Sequence, residues 1–209
     1  TDLVAYNSDT KKLISLKTPS TPDDHALGVI TAVKKTGIEL PKITGFSHGT
    51  TVATNTALEH KGAKLGIITT RGYRDVLVIG RGNRTQLYDV RAVRPAGIVQ
   101  REHIMEVDER STVDGLIHKH LNEDQVASAC TYFLSEGIEA VAVCFLHAYA
   151  NSRHEQRAAE IVQKLMPGVH VCTSNEILPE YREFERFSTT ALNAFVAPRT
   201  GRYLSLIHI

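Results

Sequence analysis

Residues 139–155 read EAVAVCFLHAYANSRHE, and this stretch decides the fold. The near-continuous apolar run at residues 140–146 predicts a strand that is buried on both faces, as the strands of parallel sheets are. A helical pattern follows at residues 152–165, and a second short apolar run at residues 169–172 predicts another strand. A strand, a helix and a strand in this order indicate an α/β fold.

Similar elements extend toward both ends of the chain. We predict further strands at residues 3–6, 12–17, 43–47 and 65–69, and helices at residues 52–60, 123–135 and from 179 to about 203. The first two strands flank a turn signal at residues 7–9 and therefore predict a hairpin. Residues 21–24, TPDD, have the composition of a helix start, and that helix ends at Gly37. Pro198 is expected to kink or break the last helix.

The middle of the chain is less regular. Residues 71–122 hold many Arg, Gly and Pro residues, and we interpret them as an irregular insertion with two candidate short strands at residues 75–79 and 104–107. Residues 1–70 and 123–204 then form the α/β core. The chain opens in a strand-like run and stops in a helical one, so we expect a region that is incomplete at both ends. Residues 205–209 are a candidate non-native tail.

Composition excludes several classes of protein. The 209 residues are 42% hydrophobic and 22% charged, which is typical of a globular protein with a sizeable core. The formal charge of +1 leaves no broad basic field for nucleic acid, and the longest apolar run is far too short to cross a bilayer. Cys130, Cys144 and Cys172 lie far apart, so we expect reduced, buried thiols and a cytoplasmic location.

The sharpest local feature is SHGTT at residues 47–51, where a predicted strand gives way to a small turn and a predicted helix begins. Backbone N–H groups at a helix start attract anions, and Gly49 lets a ligand approach closely. The hydroxyls of Thr50 and Thr51 could contact phosphate oxygens, and His48 could donate a hydrogen bond or act as an acid or base. The alternative is an ordinary helix cap, which needs no ligand. No Gly-Lys-Thr or Gly-Lys-Ser follows, so this is not a Walker loop.

A second group of polar residues follows the predicted strand at residues 65–69. Arg71 and Arg81 lie in Arg- and Gly-rich segments that could hold a carboxylate or a phosphate. The alternative is an exposed basic loop that forms surface ion pairs.

Three other polar groups have structural interpretations. The paired histidines His118 and His120 lack a matching set of ligands, which disfavours a metal site. His147 ends the buried run, and we interpret it as a structural residue. Residues 180–186 have the spacing of i,i+3 and i,i+4 ion pairs, and we interpret them as a solvated or packed helix face.

Three long stretches together carry a resemblance to a known family. They are HGTTVATNTALEHKGAKLGIITTRGYRDVLVIGRGNRTQLYDVR at residues 48–91, EAVAVCFLHAYANSRHE at residues 139–155 and EILPEYREFERFSTTALNAFVAP at residues 176–198. With them, the chain from Thr1 to about Leu204 resembles the N-terminal region of the hydantoinase A/5-oxoprolinase family.

The resemblance implies a fold and an activity. The fold is a ribonuclease-H-like core of the actin and sugar-kinase ATPase type. The activity uses ATP and Mg²⁺ to phosphorylate a carbonyl oxygen before a cyclic amide is hydrolysed, with hydantoin, N-methylhydantoin or 5-oxoproline as the candidate substrates. The family also implies a second subunit or domain of the hydantoinase B type. Two alternatives stay open: a subunit of an acetone-carboxylase-type ketone carboxylase, and a non-catalytic assembly module.

The resemblance also assigns roles to residues. The family's first phosphate loop is an Asp-Ile-Gly-Gly-Thr-Phe-Thr-Asp hairpin, of which only the last two residues match here, at Thr1-Asp2, so Asp2 is implied near Mg²⁺. His48, Gly49, Thr50 and Thr51 are implied around the phosphates or the substrate carbonyl. Arg71 and Arg81 are weaker candidates for the same ligands. Because a second glycine-rich loop belongs to the downstream half of the family, we expect this chain alone to have weak or no ATPase activity.

Overall fold

The structure is a computed structural model that describes residues 1–19, 21, 25–83, 88–89, 91 and 97–207. Part of the predicted helix start at residues 21–24 and the last two residues of the predicted tail lie outside the described residues. The chain divides into two compact units, Thr1–Ala53 with Arg199–Ile209, and Thr54–Pro198.

The first unit contains the predicted hairpin. Strands β1 (Asp2–Tyr6) and β2 (Leu13–Lys17) pair antiparallel, with Asp2 opposite Lys17. The turn between them is held by Asn7, whose Oδ1 accepts the N–H groups of Asp9 and Thr10 at 2.9 Å each. Helix α1 (His25–Lys35) packs against both strands.

The strand predicted at residues 43–47 is not formed. A short 3₁₀ turn at Leu40–Lys42 is followed by irregular backbone through residue 51, and α2 (Val52–Leu58) begins directly after it. The described residues provide no strand that pairs with this segment. A strand forms only where a neighbouring strand hydrogen-bonds its N–H and C=O groups. An apolar pattern alone was therefore not sufficient to predict a strand here.

The second unit is built on a four-stranded parallel sheet. Its strands are β3 (Leu65–Thr70), β4 (Ile104–Val107), β7 (Ala140–Cys144) and β8 (His170–Thr173), in the order β4-β3-β7-β8. The prediction of a strand at residues 104–107 is confirmed, and this strand forms one edge of the sheet. Strands β5 (Arg110–Ser111) and β6 (Ile117–Lys119) form a separate small antiparallel pair.

Helices cover both faces of the parallel sheet. Helices α4 (Glu123–Ser135) and α5 (Arg153–Leu165) pack on the face that carries Val141 and Val143. On the opposite face lie Ala140, Ala142 and Cys144, which pack against α7 (Glu183–Ile207) through residues such as Phe187 and Ala191. Successive side chains of β7 point alternately to the two faces of the sheet. Because helices cover both faces, every residue of this strand is apolar.

Most of the predicted elements of this unit are confirmed. Helix α4 has the predicted bounds, and β7, α5 and β8 differ from the prediction by one or two residues at their ends. Residues 75–79 were wrongly predicted as a strand; they contain α3 (Val76–Ile79), a single helical turn. A four-residue apolar run fits either structure, so periodicity could not decide it.

The last helix was only partly predicted. It begins at Glu183, after the short helix α6 (Ser174–Ile177), and it does not break at Pro198. A proline removes one hydrogen bond, and the buried packing of Phe187, Ala191 and Phe195 supports the helix before that point.

The three cysteines are free and buried, as predicted. Nowhere in the described part of the chain is there a helix with the length and hydropathy needed to span a membrane.

Candidate functional site

The bend at residues 47–51 is an exposed segment that leads into helix α2. Gly49, Thr50 and Thr51 are all exposed, and a Cβ added at Gly49 would meet nothing within 4 Å. The Thr50 Oγ1 accepts the N–H of Val52, the first residue of α2, at 3.2 Å, and this bond closes the turn that precedes the helix. The backbone around Gly49 is open to a ligand, and the Thr50 side chain holds the helix start in place.

His48 is the half-buried residue of the bend. Its Nε2 hydrogen-bonds the hydroxyl of Tyr203, which is itself 8% exposed, and its ring stacks on Phe46 with centroids 6.3 Å apart. These contacts fix the orientation of the imidazole and leave Nδ1 as the nitrogen for a further partner.

Asp2 lies in β1 with its side chain 75% exposed, and its nearest cation is the Nζ of Lys17 at 3.6 Å. Across the residues that the structure describes, no group of three or more His, Cys, Asp or Glu side chains could hold a metal ion. This includes the neighbourhood of His118 and His120. Asp2 therefore offers a single carboxylate to a cation and does not form a complete metal site.

Arg71 and Arg81 are both engaged in ion pairs. Arg71 donates two hydrogen bonds to Asp108, at 2.8 and 3.3 Å. These bonds, followed by those from Lys119 and Gln125, hold the pKa of Asp108 far below its usual range. Arg81 donates to Glu185 at 2.8 Å. For both arginines the structure favours the surface ion pair over an open anion site.

A buried polar cluster lies at the carboxyl ends of the parallel strands, and we call it the sheet-end network. Its members are Thr70, Glu109, His154, Glu155, Ser174 and Arg186, each of them at most 7% exposed. Ligands of open α/β sheets commonly bind at this edge.

One half of the sheet-end network joins Glu155 to Arg186. Glu155 accepts the Ser174 hydroxyl at 2.6 Å, the N–H of Phe145 at 2.7 Å and the N–H of Asn175 at 2.8 Å. Arg186 donates to Ser174 Oγ at 3.0 Å and to the carbonyl of Phe145 at 2.9 Å. Burial raises the pKa of Glu155 to about 7, and the hydrogen bonds from Ser174 and Phe145 oppose that rise.

The other half centres on Glu109. This carboxylate accepts the Thr70 hydroxyl and pairs with Nδ1 of His154 at 2.8 Å. The Thr70 oxygen in turn accepts the N–H of Leu146 at 2.9 Å. The network thus ties the ends of β3 and β7 to the start of α5, and its polar groups satisfy one another.

The sequence prediction missed the sheet-end network. A signal was available for Glu155, which lies three residues before Ala158 and seven before Val162, on the inward face of an amphipathic helix. The predicted i,i+3 pairing at residues 180–186 is confirmed for Glu183 and Arg186, whose charged atoms are 3.5 Å apart. Arg186 is fully buried, so of the two interpretations the packed helix face holds at this residue.

His147 follows β7 with a left-handed backbone, φ 55°, and its buried Nδ1 has no partner among the described residues. Its ring lies edge-on to Tyr149. No contact in the structure assigns it a chemical role.

Residues 1–166 match the family model for the hydantoinase/oxoprolinase N-terminal region. An uncharacterized protein of Methanocaldococcus jannaschii is 40% identical over 207 residues, which cover 98% of this chain and 30% of that relative. The crystal structure of the ATP-dependent caprolactamase from Pseudomonas jessenii matches with a TM-score of 0.86 and 31% identity, over 99% of this chain and 31% of that chain. The nucleotide-free structure of acetone carboxylase matches with a TM-score of 0.82 and 27% identity, over 99% of this chain and 32% of that chain.

The fold and these matches first define a class: a mixed α/β protein with a parallel four-stranded sheet, matching part of caprolactamase and of acetone carboxylase. The chain belongs to the hydantoinase/oxoprolinase family. The resemblance drawn from the three sequence stretches is confirmed. The chain spans about 30% of the length of the relative from Methanocaldococcus jannaschii.

Proposed function

We propose that this chain is part of an ATP-dependent enzyme that opens a cyclic amide, with hydantoin, N-methylhydantoin or 5-oxoproline as candidate substrates. Family membership supports the reaction class, and the match to an ATP-dependent caprolactamase supports both ATP and a cyclic amide. The fold we propose for the whole protein is the ribonuclease-H-like type of the actin and sugar-kinase ATPases.

The observation that carries the proposal is the exposed bend at residues 47–51. Its backbone has open space at Gly49, and its turn is held by the bond between Thr50 and Val52. Backbone N–H groups in such a turn can bind an anionic oxygen without reorganising. In this proposal His48, Gly49, Thr50 and Thr51 surround the phosphates of ATP or the substrate carbonyl.

ATP would supply its γ-phosphoryl group to the carbonyl oxygen of the cyclic amide, with ADP as the leaving group, and the phosphorylated oxygen would then be a good leaving group. The contribution of this chain is to position and to stabilise charge, which is what phosphoryl transfer requires of a protein. Mg²⁺ bound with a nucleotide takes one or two protein carboxylates besides phosphate oxygens, and Asp2 is proposed as one of them. Arg71 and Arg81 are secondary candidates for binding the phosphates or the substrate, because the ion pairs Arg71–Asp108 and Arg81–Glu185 would first have to break.

The test uses the protein at the full length of its relatives. Purified protein, with a hydantoinase B-type partner if one is needed, should hydrolyse ATP faster when a hydantoin, N-methylhydantoin or 5-oxoproline is added. If none of the three raises ATP turnover, the proposed function is wrong.

The role of the bend is tested by a matched pair of glycine variants. A Cβ at Gly49 and a Cβ at Gly45 would both meet nothing within 4 Å, so Gly49→Ala and Gly45→Ala should fold equally well. Only Gly49→Ala blocks the close approach of an anion, and we expect it to lower kcat/KM for ATP by about 10-fold or more. Equal activity of the two variants would favour the non-catalytic assembly module.

The second candidate function is ATP-dependent ketone carboxylation, which the match to acetone carboxylase favours. Under this alternative, ATP turnover by the full-length protein depends on bicarbonate and a ketone and requires partner subunits. Turnover with a cyclic amide in the absence of bicarbonate would exclude it.

A further inference from the structure

His48 and Tyr203 are joined within the first unit, although they lie 155 positions apart in the sequence. The Nε2 atom of His48 forms a hydrogen bond with the Tyr203 hydroxyl, and the two rings are tilted against each other with centroids 5.7 Å apart. Tyr203 lies near the end of α7 and is buried, so its phenol is largely shielded from water. The sequence alone assigns Tyr203 no role.

The imidazole of His48 is also held by a second ring. It stacks on Phe46, with an angle of 13° between the two ring planes. The Nδ1 atom of His48 forms no hydrogen bond with any residue that the structure describes, and the side chain is half-buried. One ring nitrogen is therefore occupied by Tyr203, and the other is left for a ligand.

The chemistry of the two groups decides which of them donates the hydrogen bond. A phenol is a stronger acid than a neutral imidazole, and an imidazole nitrogen is a stronger base than a phenol oxygen. The better donor meets the better acceptor when the Tyr203 hydroxyl donates to Nε2 of His48. The proton of the neutral imidazole then lies on Nδ1, because the hydrogen bond made by one ring nitrogen sets the state of the other.

We propose that Tyr203 is a positioning residue that holds His48 as the Nδ1–H tautomer, so that His48 donates a hydrogen bond to an anionic oxygen and does not act as a base. The proposal rests on the proposed function in one respect, that this oxygen belongs to the phosphates of ATP or to the substrate carbonyl. The sequence leaves two roles open for His48, hydrogen-bond donor or acid–base group, and the proposal selects the donor. A donor that is already in place stabilises an oxyanion because it needs no reorganisation as the charge develops.

The tautomer is measured by ¹⁵N NMR of the histidine side chains in the 209-residue chain at pH 8, without ATP. The signals of His48 are identified by their absence from the spectrum of His48→Asn. We expect a proton on Nδ1 and an unprotonated Nε2 that accepts a hydrogen bond. A proton on Nε2, or a comparable population of the two tautomers, overturns the proposal.

Tyr203→Phe tests the source of this preference. Phenylalanine keeps the buried ring and removes only the hydroxyl, so Nε2 loses its donor and the Nδ1–H tautomer should fall to a minority of the population. Tyr6→Phe is the control, because Tyr6 is exposed in β1, and it should leave the tautomer ratio of His48 unchanged. An unchanged ratio in Tyr203→Phe contradicts the proposal.

ATP turnover by the protein at the full length of its relatives separates a donor from a base. Asparagine carries an amide N–H at the δ position, where Nδ1 of histidine lies, whereas glutamine carries it at the ε position. We expect His48→Asn to keep at least about a tenth of the wild-type kcat and His48→Gln to lose about 100-fold. Equal losses in the two variants would show that His48 does not act through an Nδ1–H donor.

The same assay gives the effect of the positioning residue. Tyr203→Phe should lower kcat by about 5- to 10-fold and leave the KM for ATP nearly unchanged, because a smaller share of the protein presents the donor that the transition state needs. Tyr6→Phe should leave both constants unchanged. A Tyr203→Phe variant with the wild-type kcat contradicts the proposal.

The outcome is separable from that of the proposed function, because the NMR measurement requires neither ATP nor substrate. An Nδ1–H tautomer that depends on Tyr203, together with no cyclic-amide-stimulated ATP turnover, would leave the positioning of His48 standing and remove the proposed function. Stimulated turnover in which His48→Gln is as active as His48→Asn would do the reverse.

Discussion

The bend at residues 47–51 and the sheet-end network hold their polar side chains in opposite ways. In the sheet-end network, Glu155, Glu109 and Arg186 are fully or nearly fully buried and bound to other buried side chains or to backbone groups. In the bend, Gly49, Thr50 and Thr51 are exposed. Buried polar groups that satisfy each other stabilise the fold, whereas exposed ones remain accessible to a ligand.

At the carboxyl edge of this parallel sheet, the polar side chains already bind one another or nearby backbone groups. Ligands often bind at that edge, yet here its polar residues join the ends of strands β3, β7 and β8 to helices α5, α6 and α7. The difference can be tested by asking whether substitutions in each region change stability or activity.

The largest stability effect is expected for Arg186→Met. Methionine keeps much of the apolar contact with Phe187, but it removes the donors to Phe145 and Glu180, the ion pair with Glu183 and the positive charge that lowers the pKa of Glu155. Removal of one partner from a buried charged pair costs about 3–5 kcal/mol, and urea denaturation of the 209-residue chain should show a loss of that size. Arg182→Met, in the exposed residue four positions earlier, is the control. A similar small loss for both variants would show that the sheet-end network is not structural.

The next effect concerns the pH dependence of stability. Burial raises the pKa of Glu155 to about 7, from 4.5, so the folded chain binds a proton at this group more tightly than the unfolded chain does. Its contribution to the free energy of unfolding is fully present below about pH 4.5 and is lost as the pH rises through about 7.

Glu155→Gln should remove this dependence. Between pH 5 and pH 8 the wild-type chain should lose on the order of 2 kcal/mol through Glu155, and the variant should lack that decline. Denaturation curves for both proteins at four or five pH values give the comparison. Parallel pH profiles would mean that Glu155 has an ordinary pKa.

A pair of isosteric variants compares the two regions directly. Thr70→Val removes the hydroxyl that donates to Glu109 and accepts from Leu146, and the buried partners lose their hydrogen bonds. The expected cost is about 1–2 kcal/mol. Thr50→Val removes the acceptor for the Val52 N–H, which lies at an exposed helix start, so a loss at the low end for helix starts, about 0.5 kcal/mol, is expected. A larger loss at Thr50 than at Thr70 would reverse the contrast between the regions.

Local cues predicted the elements of the second unit well. Helix α4 has the predicted bounds because its cap is local, with the Asn122 side chain accepting the Gln125 N–H at 3.1 Å. The core strand β7 is continuous in apolar residues, and only a buried strand of that length fits.

The rest depends on partners that are distant in sequence. Residues 43–47 have the pattern of a strand but lack a neighbour in the described chain. The spacing of Arg186 predicts a helical ion pair but does not indicate that its guanidinium is bound to the end of β7. The ion pair between Arg71 and Asp108 joins residues 37 positions apart. The sequence around Arg71 or Arg186 does not indicate that either side chain is already bound to a distant residue.

The smallest effect is expected for Arg71→Gln. Arg71 is exposed and its pair with Asp108 is open to solvent, so the urea midpoint should shift less than for Thr70→Val, and less still at high salt. Because the guanidinium is committed to Asp108, ATP turnover by the full-length protein should also change by less than about two-fold. Lys119 and Gln125 continue to hold the Asp108 carboxylate in the variant, which limits any rearrangement. If ATP turnover instead fell by about 10-fold or more while stability stayed unchanged, Arg71 would belong to the phosphate site and would share the role of the bend.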